Sequence, residues 1–248
     1  MYAQNGEQRI FYDVAGSGPT LVLLHGFGES GETWRVKGIV DGLAESCMVV
    51  LVDGRGHGAS DKPYKPAAYG IERLVGDVVA VLNAAGVERC GVLGYSQGGW
   101  TALGMAAFAR ERIDKLAAGG ATPYGQDLSQ YRALCAMGLP GALAAIEAAN
   151  GDELAPEQRD NFLANDIEAL KAACASDRPD ISSALAGLDV PCLLFAGEAD
   201  PLLTDVRRLS ASLPGSRCLA MPGLNHVQGA LRMGSLLPEL REFFGRRE

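Results

Sequence analysis

The sequence predicts an α/β protein whose mostly parallel central sheet is flanked by helices. Short, continuous apolar runs recur along the chain, as strands buried on both faces would. Segments with the helical period lie between them. The 248 residues are also enough for one large domain with a sizeable core.

The elements follow in chain order. Asn5-Gly6 reads as a hairpin turn, and Gln8 to Val14 alternates like a half-exposed strand. Gly16 to Pro19 makes a loop before the apolar run Thr20–Leu24. Further runs are Met48–Val52, Cys90–Leu93, Lys115–Ala118, Val190–Phe195 and a weaker Arg217–Met221. Between them, Ile71 to Ala85 puts Leu74, Val75, Val78, Val79 and Leu82 on one helical face. Gly98–Phe108 and Ser235–Phe244 read as two more helices. Strand and helix alternating in this way implies right-handed crossovers. The rhythm breaks between Pro123 and Leu185, where Ala-rich helical patterns near Leu128–Met137, Gly141–Ala149 and Pro156–Ala175 replace strands. Residues 1–122 and 186–248 are therefore expected to form the core, with 123–185 a helical cap inserted over it.

Composition narrows the classes of function. At 48% hydrophobic and 21% charged, the chain has the make-up of an ordinary globular protein. Its net charge of −8 argues against binding nucleic acid or an anionic membrane, both of which reward Lys and Arg patches. An anionic small molecule stays open, because local charge in a pocket can oppose the total. The six cysteines form no CxxC pair and lack histidines at zinc-ligand spacing, so no metal is expected. Several lie in apolar runs, as buried free thiols do. The N-terminus has neither the basic start nor the apolar core of a signal peptide, and no run has membrane-spanning length. A cytoplasmic, reduced protein with a small-molecule substrate is expected; its oligomeric state is open, a homo-oligomer included.

Gly94-Tyr95-Ser96-Gln97-Gly98 has the G-x-S-x-G form of a nucleophile elbow. A serine held in a tight strand-to-helix turn leaves little room for side chains two residues before and after it. Its hydroxyl then projects at a helix N-terminus, where backbone amides favour developing negative charge. The apolar run before it and Trp100 to Leu103 after it supply the strand and helix this motif needs.

His25-Gly26-Phe27-Gly28 ends the first buried run, and with it the chain resembles the α/β-hydrolase family. The resemblance implies that fold and an oxyanion hole made by the backbone amides of Phe27 and Gln97. It makes His25 a turn-stabilising residue, since the family order is nucleophile, acid, histidine. Asp53-Gly54-Arg55-Gly56-His57-Gly58-Ala59-Ser60 is similar to a structural turn of the same family, in which Asp53 and Arg55 fix the loop. The family places its acid just past a late strand, where this chain has Gly197-Glu198-Ala199-Asp200. Asp200 fills that role and Glu198 the solvent-facing place beside it. The alternative position after the preceding strand is closed, because Ala117 to Gly125 holds no carboxylate. Of three histidines, two have structural readings, which leaves His226 as the base.

The resemblance therefore implies Ser96 as nucleophile, His226 as base, Asp200 as orienting acid, and no cofactor. A Ser at the elbow argues against the related dehalogenases and epoxide hydrolases, which put Asp there. A small or medium carboxylic ester or lactone is the expected substrate. Enzymes that make or break carbon–carbon bonds stay open, although Trp100 and Val227 depart from residues found in some of them. A cofactor-free perhydrolase side activity and a non-enzymatic small-molecule receptor are the other readings. Within the helical insertion, Leu134, Met137, Leu139 and Leu143, together with Trp100, are expected to line the substrate pocket.

Overall fold

A computed structural model of the chain describes residues 1–245. Eight strands form one sheet: β1 Tyr2–Asn5, β2 Gln8–Gly16, β3 Thr20–Leu24, β4 Met48–Val52, β5 Cys90–Tyr95, β6 Ile113–Gly119, β7 Cys192–Gly197 and β8 Arg217–Met221. They lie in the order β1-β2-β4-β3-β5-β6-β7-β8. The β1–β2 and β2–β4 pairs are antiparallel, and every pairing from β4 to β8 is parallel.

The apolar runs form strands because each face of the sheet is covered. Along β3, Val22 and Leu24 join the apolar layer on one face, while Leu21 and Leu23 join the layer on the other. In β4, Val50 and Val52 alternate with Val49 and Leu51 in the same manner. One layer is closed by α3 (Ile71–Ala84), α4 (Gln97–Phe108) and α9 (Leu203–Ser212) through residues such as Leu74, Leu103 and Val206. The other is closed by α1 (Glu32–Val36), α2 (Ile39–Ala44) and α11 (Leu237–Gly245), which contribute Trp34, Leu43 and Leu240.

Four helices, α5 (Ser129–Ala136), α6 (Gly138–Asn150), α7 (Pro156–Leu163) and α8 (Ile167–Ala173), fill the stretch without strands. Polar contacts tie them to the core. Asn161 donates to Ser30 Oγ at 2.6 Å, Asn165 to the Gly28 carbonyl at 2.8 Å, and Tyr64 to Asp166 at 2.7 Å.

Several boundaries differ from the expectation: β5 runs on to Tyr95, β6 covers Ile113–Gly119, and α6 starts at Gly138. β7 begins at Cys192 rather than Val190, because Pro191 has no N–H to give to a ladder. The single helix expected over 156–175 is two helices. Asp166 starts the second by accepting the amides of Glu168 and Ala169, at 2.9 and 3.3 Å. The C-terminal helix starts at Leu237 rather than Ser235, after a 3-10 turn over Met233–Leu236. Helices α1, α2, α9 and α10 (His226–Leu231) were not expected. Among the described residues no helix is long and apolar enough to cross a membrane.

Candidate active site

Ser96 stands between the end of β5 and the start of α4 with φ at +54°, the one non-glycine residue with a positive φ among those described. Such a conformation costs on the order of 1–3 kcal/mol and persists only where the surroundings enforce it. The flanking glycines show how. A Cβ on Gly94 would lie 2.1 Å from the carbonyl oxygen of Gly98, and a Cβ on Gly98 would lie 1.9 Å from that of Leu24. The turn can close only where both side chains are missing.

Asp200 and His226 approach from the two neighbouring loops. The Asp200 loop follows β7 and the His226 loop follows β8, and backbone bonds lace them together. The Glu198 amide donates to Met221 at 2.8 Å and that of Ala199 to Leu224 at 2.9 Å. Nδ1 of His226 lies 2.7 Å from Asp200 Oδ2, and Nε2 lies 2.9 Å from Ser96 Oγ. A carboxylate can only accept, so Nδ1 carries the hydrogen and Nε2 offers its lone pair to the serine hydroxyl. The second Asp200 oxygen accepts the Leu202 amide at 2.9 Å, and the side chain is buried.

His226 is also the first residue of α10. Asn225 caps that helix by accepting the Gln228 amide at 2.9 Å, while Gln228 Oε1 accepts the Asn225 amide at 3.1 Å. The same two side chains reach the last turn of α6: Asn225 donates to Ala149 and Gln228 to Asn150, at 2.8 and 2.9 Å.

The loop after β3 runs beside the serine, for a Cβ on Gly26 would sit 3.8 Å from Ser96 Cβ. Neither the Phe27 amide nor that of Gln97 has an acceptor among the described residues. Glu29 braces this loop by accepting the Gly26 amide at 3.0 Å and pairing with Lys37 at 2.6 Å. Burial works against its charge, yet the Lys37 ammonium and the Gly26 amide hold its carboxyl below the usual range.

The other motif residues serve the scaffold. His25 Nε2 accepts the Gly54 amide at 2.9 Å, and its Nδ1 lies 2.8 Å from the Gly26 carbonyl, which joins the loops after β3 and β4. Asp53 accepts the amides of Gly31 and Ala59, at 2.7 and 2.8 Å. Arg55 and Asp77 form a buried pair, with bonds of 2.6 and 2.5 Å. His57 is fully buried, and burial, then nearby His25, lowers its pKa to about 3. Glu198 is exposed, and its carboxylate accepts the Gly223 amide at 3.0 Å.

Ser96, His226 and Asp200 open on a cavity of about 300 Å³. Of the five residues expected to line the pocket, Leu134 alone borders this cavity. Trp100 lies on a neighbouring cavity. Leu143 is buried against Phe162 inside the helical layer, and Leu139 packs within the same layer. Met137 is 57% exposed, because α5 ends at Ala136 and leaves it beyond the face that carries Leu134. Tyr131, one turn before Leu134, borders the cavity with its hydroxyl 3.4 Å from Ser96 Oγ. Tyr95 donates to the His226 carbonyl at 2.7 Å. Neither role was foreseen. No local pattern marks Tyr131, whereas Asn225-x-x-Gln228 was a readable helix-start signal. Among the described residues no group of three or more His, Cys, Asp or Glu is placed to hold a metal ion.

A family model described as the alpha/beta hydrolase fold matches residues 19–155. The chain belongs to this family. An uncharacterised protein of Mycobacterium tuberculosis is 38% identical over 124 residues, which are 48% of this chain and 34% of that protein. The chain thus spans about a third of the length of the first curated relatives it matches. Two solved structures cover nearly all of it. The enol-lactonase of Burkholderia xenovorans LB400 has a TM-score of 0.85 at 23% identity, over 99% of this chain and 100% of that one. The esterase RhEst1 of Rhodococcus sp. ECU1013 has a TM-score of 0.82 at 25% identity, over 98% of this chain and 97% of the other.

Proposed function

We propose that this alpha/beta hydrolase is a serine hydrolase that cleaves a small or medium carboxylic ester or lactone through an acyl-enzyme on Ser96. The observation that carries the reading is the unbroken run of contacts from Asp200 Oδ2 through His226 to Ser96 Oγ, at 2.7 and 2.9 Å. In the first step Ser96 Oγ attacks the acyl carbon while His226 Nε2 takes its proton. The amides of Phe27 and Gln97, which have no acceptor among the described residues, receive the developing oxyanion. The acyl–oxygen bond then breaks, and the leaving alkoxide takes the proton back from His226. Water enters, gives its proton to the same nitrogen and attacks the acyl-enzyme; the acid departs and Ser96 Oγ regains its hydrogen. Asp200 holds the ring in the required tautomer and stabilises the imidazolium.

A cavity of about 300 Å³ suits a short acyl group, since ligand pockets generally run from about 300 to 1,000 Å³. The 25% identity to an esterase over nearly the whole chain supports the same chemistry. The test is hydrolysis of 4-nitrophenyl acetate, butanoate and octanoate by wild type and Ser96→Ala. Turnover should fall with acyl length and drop about 10⁴-fold or more in the variant. Undiminished turnover by Ser96→Ala would overturn the reading.

A further inference from the structure

Arg178 is a buried cation with no counter-charge among the described residues. It is 9% exposed, and no carboxylate among the described residues lies within ion-pair distance of its guanidinium. One Nη donates to Gln126 Oε1 at 2.7 Å, and the guanidinium carbon lies 4.7 Å from the centroid of the Trp100 ring. The other two nitrogens make no hydrogen bond to the described residues. Burial pushes its pKa below the usual arginine value. A charge taken out of water in this way is costly unless something pairs with it.

What it faces is a second cavity, of about 270 Å³, bordered by Arg178, Trp100, Gln97, Phe27 and Tyr131. This cavity adjoins the first. Phe27 and Tyr131 line both, with their rings meeting edge to face at 5.2 Å, and Gln126, the bond partner of Arg178, lines the cavity of Ser96. Gln97 follows the nucleophile directly in the chain. Asp177 also borders the second cavity, but its carboxylate is engaged by the Leu128 amide at 3.0 Å and by Arg132 at 2.8 Å.

We propose that the second cavity receives a carboxylate of the substrate, selected by Arg178, and that the substrate is an ester or lactone carrying a free acid group distal to the scissile bond. The proposal rests on the assignment of Ser96 as nucleophile and adds the class of substrate it works on. A planar guanidinium with unused donors matches a carboxylate in charge and in fork geometry. The net charge of −8 does not oppose this, because pairing inside a cavity is decided over a few ångströms. A bracing role alone would leave substrate preference untouched. The bridge between residues 126 and 178 is held by main-chain bonds of 3.0 and 2.9 Å, which a substitution of the side chain leaves in place.

The experiment compares monomethyl succinate, glutarate and adipate with methyl butanoate, pentanoate and hexanoate, following acid release at constant pH. The quantity read is the ratio of kcat/KM for each acid ester to that of its neutral partner. In wild type at least one ratio should reach about 10- to 100-fold, the worth of one charge-assisted contact. Arg178→Met should bring it close to one, and Arg178→Lys should keep part of it. No acid preference in wild type, or a preference that survives in Arg178→Met, would overturn the proposal. Calorimetric titration of Ser96→Ala with glutarate and adipate separates the two assignments. Binding that Arg178→Met abolishes supports the subsite even if no ester is turned over. Absent binding beside normal ester turnover in wild type removes the subsite and leaves the nucleophile standing. If Arg178→Met does not fold, Arg178→Lys read against wild type decides in its place, a ratio unchanged between them being the negative result.

Discussion

Tyr95 Oη donates to the backbone carbonyl of His226 at 2.7 Å, so the residue just before Ser96 holds the main chain of His226 in place. The phenol is buried, and burial, then Asp200, pushes its pKa up, so it stays a donor over the working range. Tyr95→Phe removes this bond and little else. We expect kcat on a short ester to fall about 10-fold with KM nearly unchanged, and stability to fall by about 1–2 kcal/mol. Steady-state kinetics and urea unfolding check both. A variant with wild-type kcat would show that the lacing of the two loops positions His226 without help.

The elbow glycines should be intolerant even of alanine. In Gly98→Ala the new methyl meets the Leu24 carbonyl oxygen at 1.9 Å, a backbone atom, with no side chain to move aside. A loss of about 3 kcal/mol or more is expected. Gly104→Ala, on the same helix, meets only the side-chain ends of Ile71 and Val75, so it should cost clearly less. Urea midpoints of the two variants give the ranking, and the reverse order would refute it.

Glu29 and Lys37 pair behind the loop of Phe27, with the Lys37 side chain 1% exposed and that of Glu29 19% exposed. Glu29→Gln can still accept the Gly26 amide but strands the ammonium. The expected loss is about 3–5 kcal/mol. Adding Lys37→Met removes the stranded charge and should restore most of that stability. A double-mutant cycle measures it, and purely additive losses would count against the pair.

Acid stability should depend on His57. Its pKa is about 3 in the folded chain and lies near 6.5 when unfolded, so the unfolded state binds one more proton between those values. The associated stability is complete above pH 6.5 and lost as pH falls toward 3, at roughly 1.4 kcal/mol per pH unit. From pH 7 to pH 5 the wild type should therefore lose roughly 2 kcal/mol through this residue, and His57→Gln should not. Urea unfolding at both pH values decides between them. Equal losses in both proteins would mean that His57 is protonated in the fold.

The strands were readable from sequence because both faces of the sheet are buried, which leaves a continuous signature in runs such as Leu21 to Leu24. Ser96 was readable because its turn imposes glycine at Gly94 and Gly98 for a local steric reason. The same reasoning failed for α1 and α2, which are too short to show a period and are parted by Gly38 at φ +70°. It failed again for the pocket. Leu134, Met137, Leu139 and Leu143 look alike as apolar residues, and where α5 ends and which helix packs on which decide their places. Arg178 was silent for the same reason, since its meaning comes from what does not stand beside it.

The grip of Asn225 and Gln228 on the last turn of α6 limits how freely this protein could be re-engineered. Replacing the helices above the cavity with those of a relative, to change what is bound, would also change the footing of His226. Recognition and reaction are mechanically joined at that turn, so a working chimera would need to carry its own carbonyls to the places of Ala149 and Asn150.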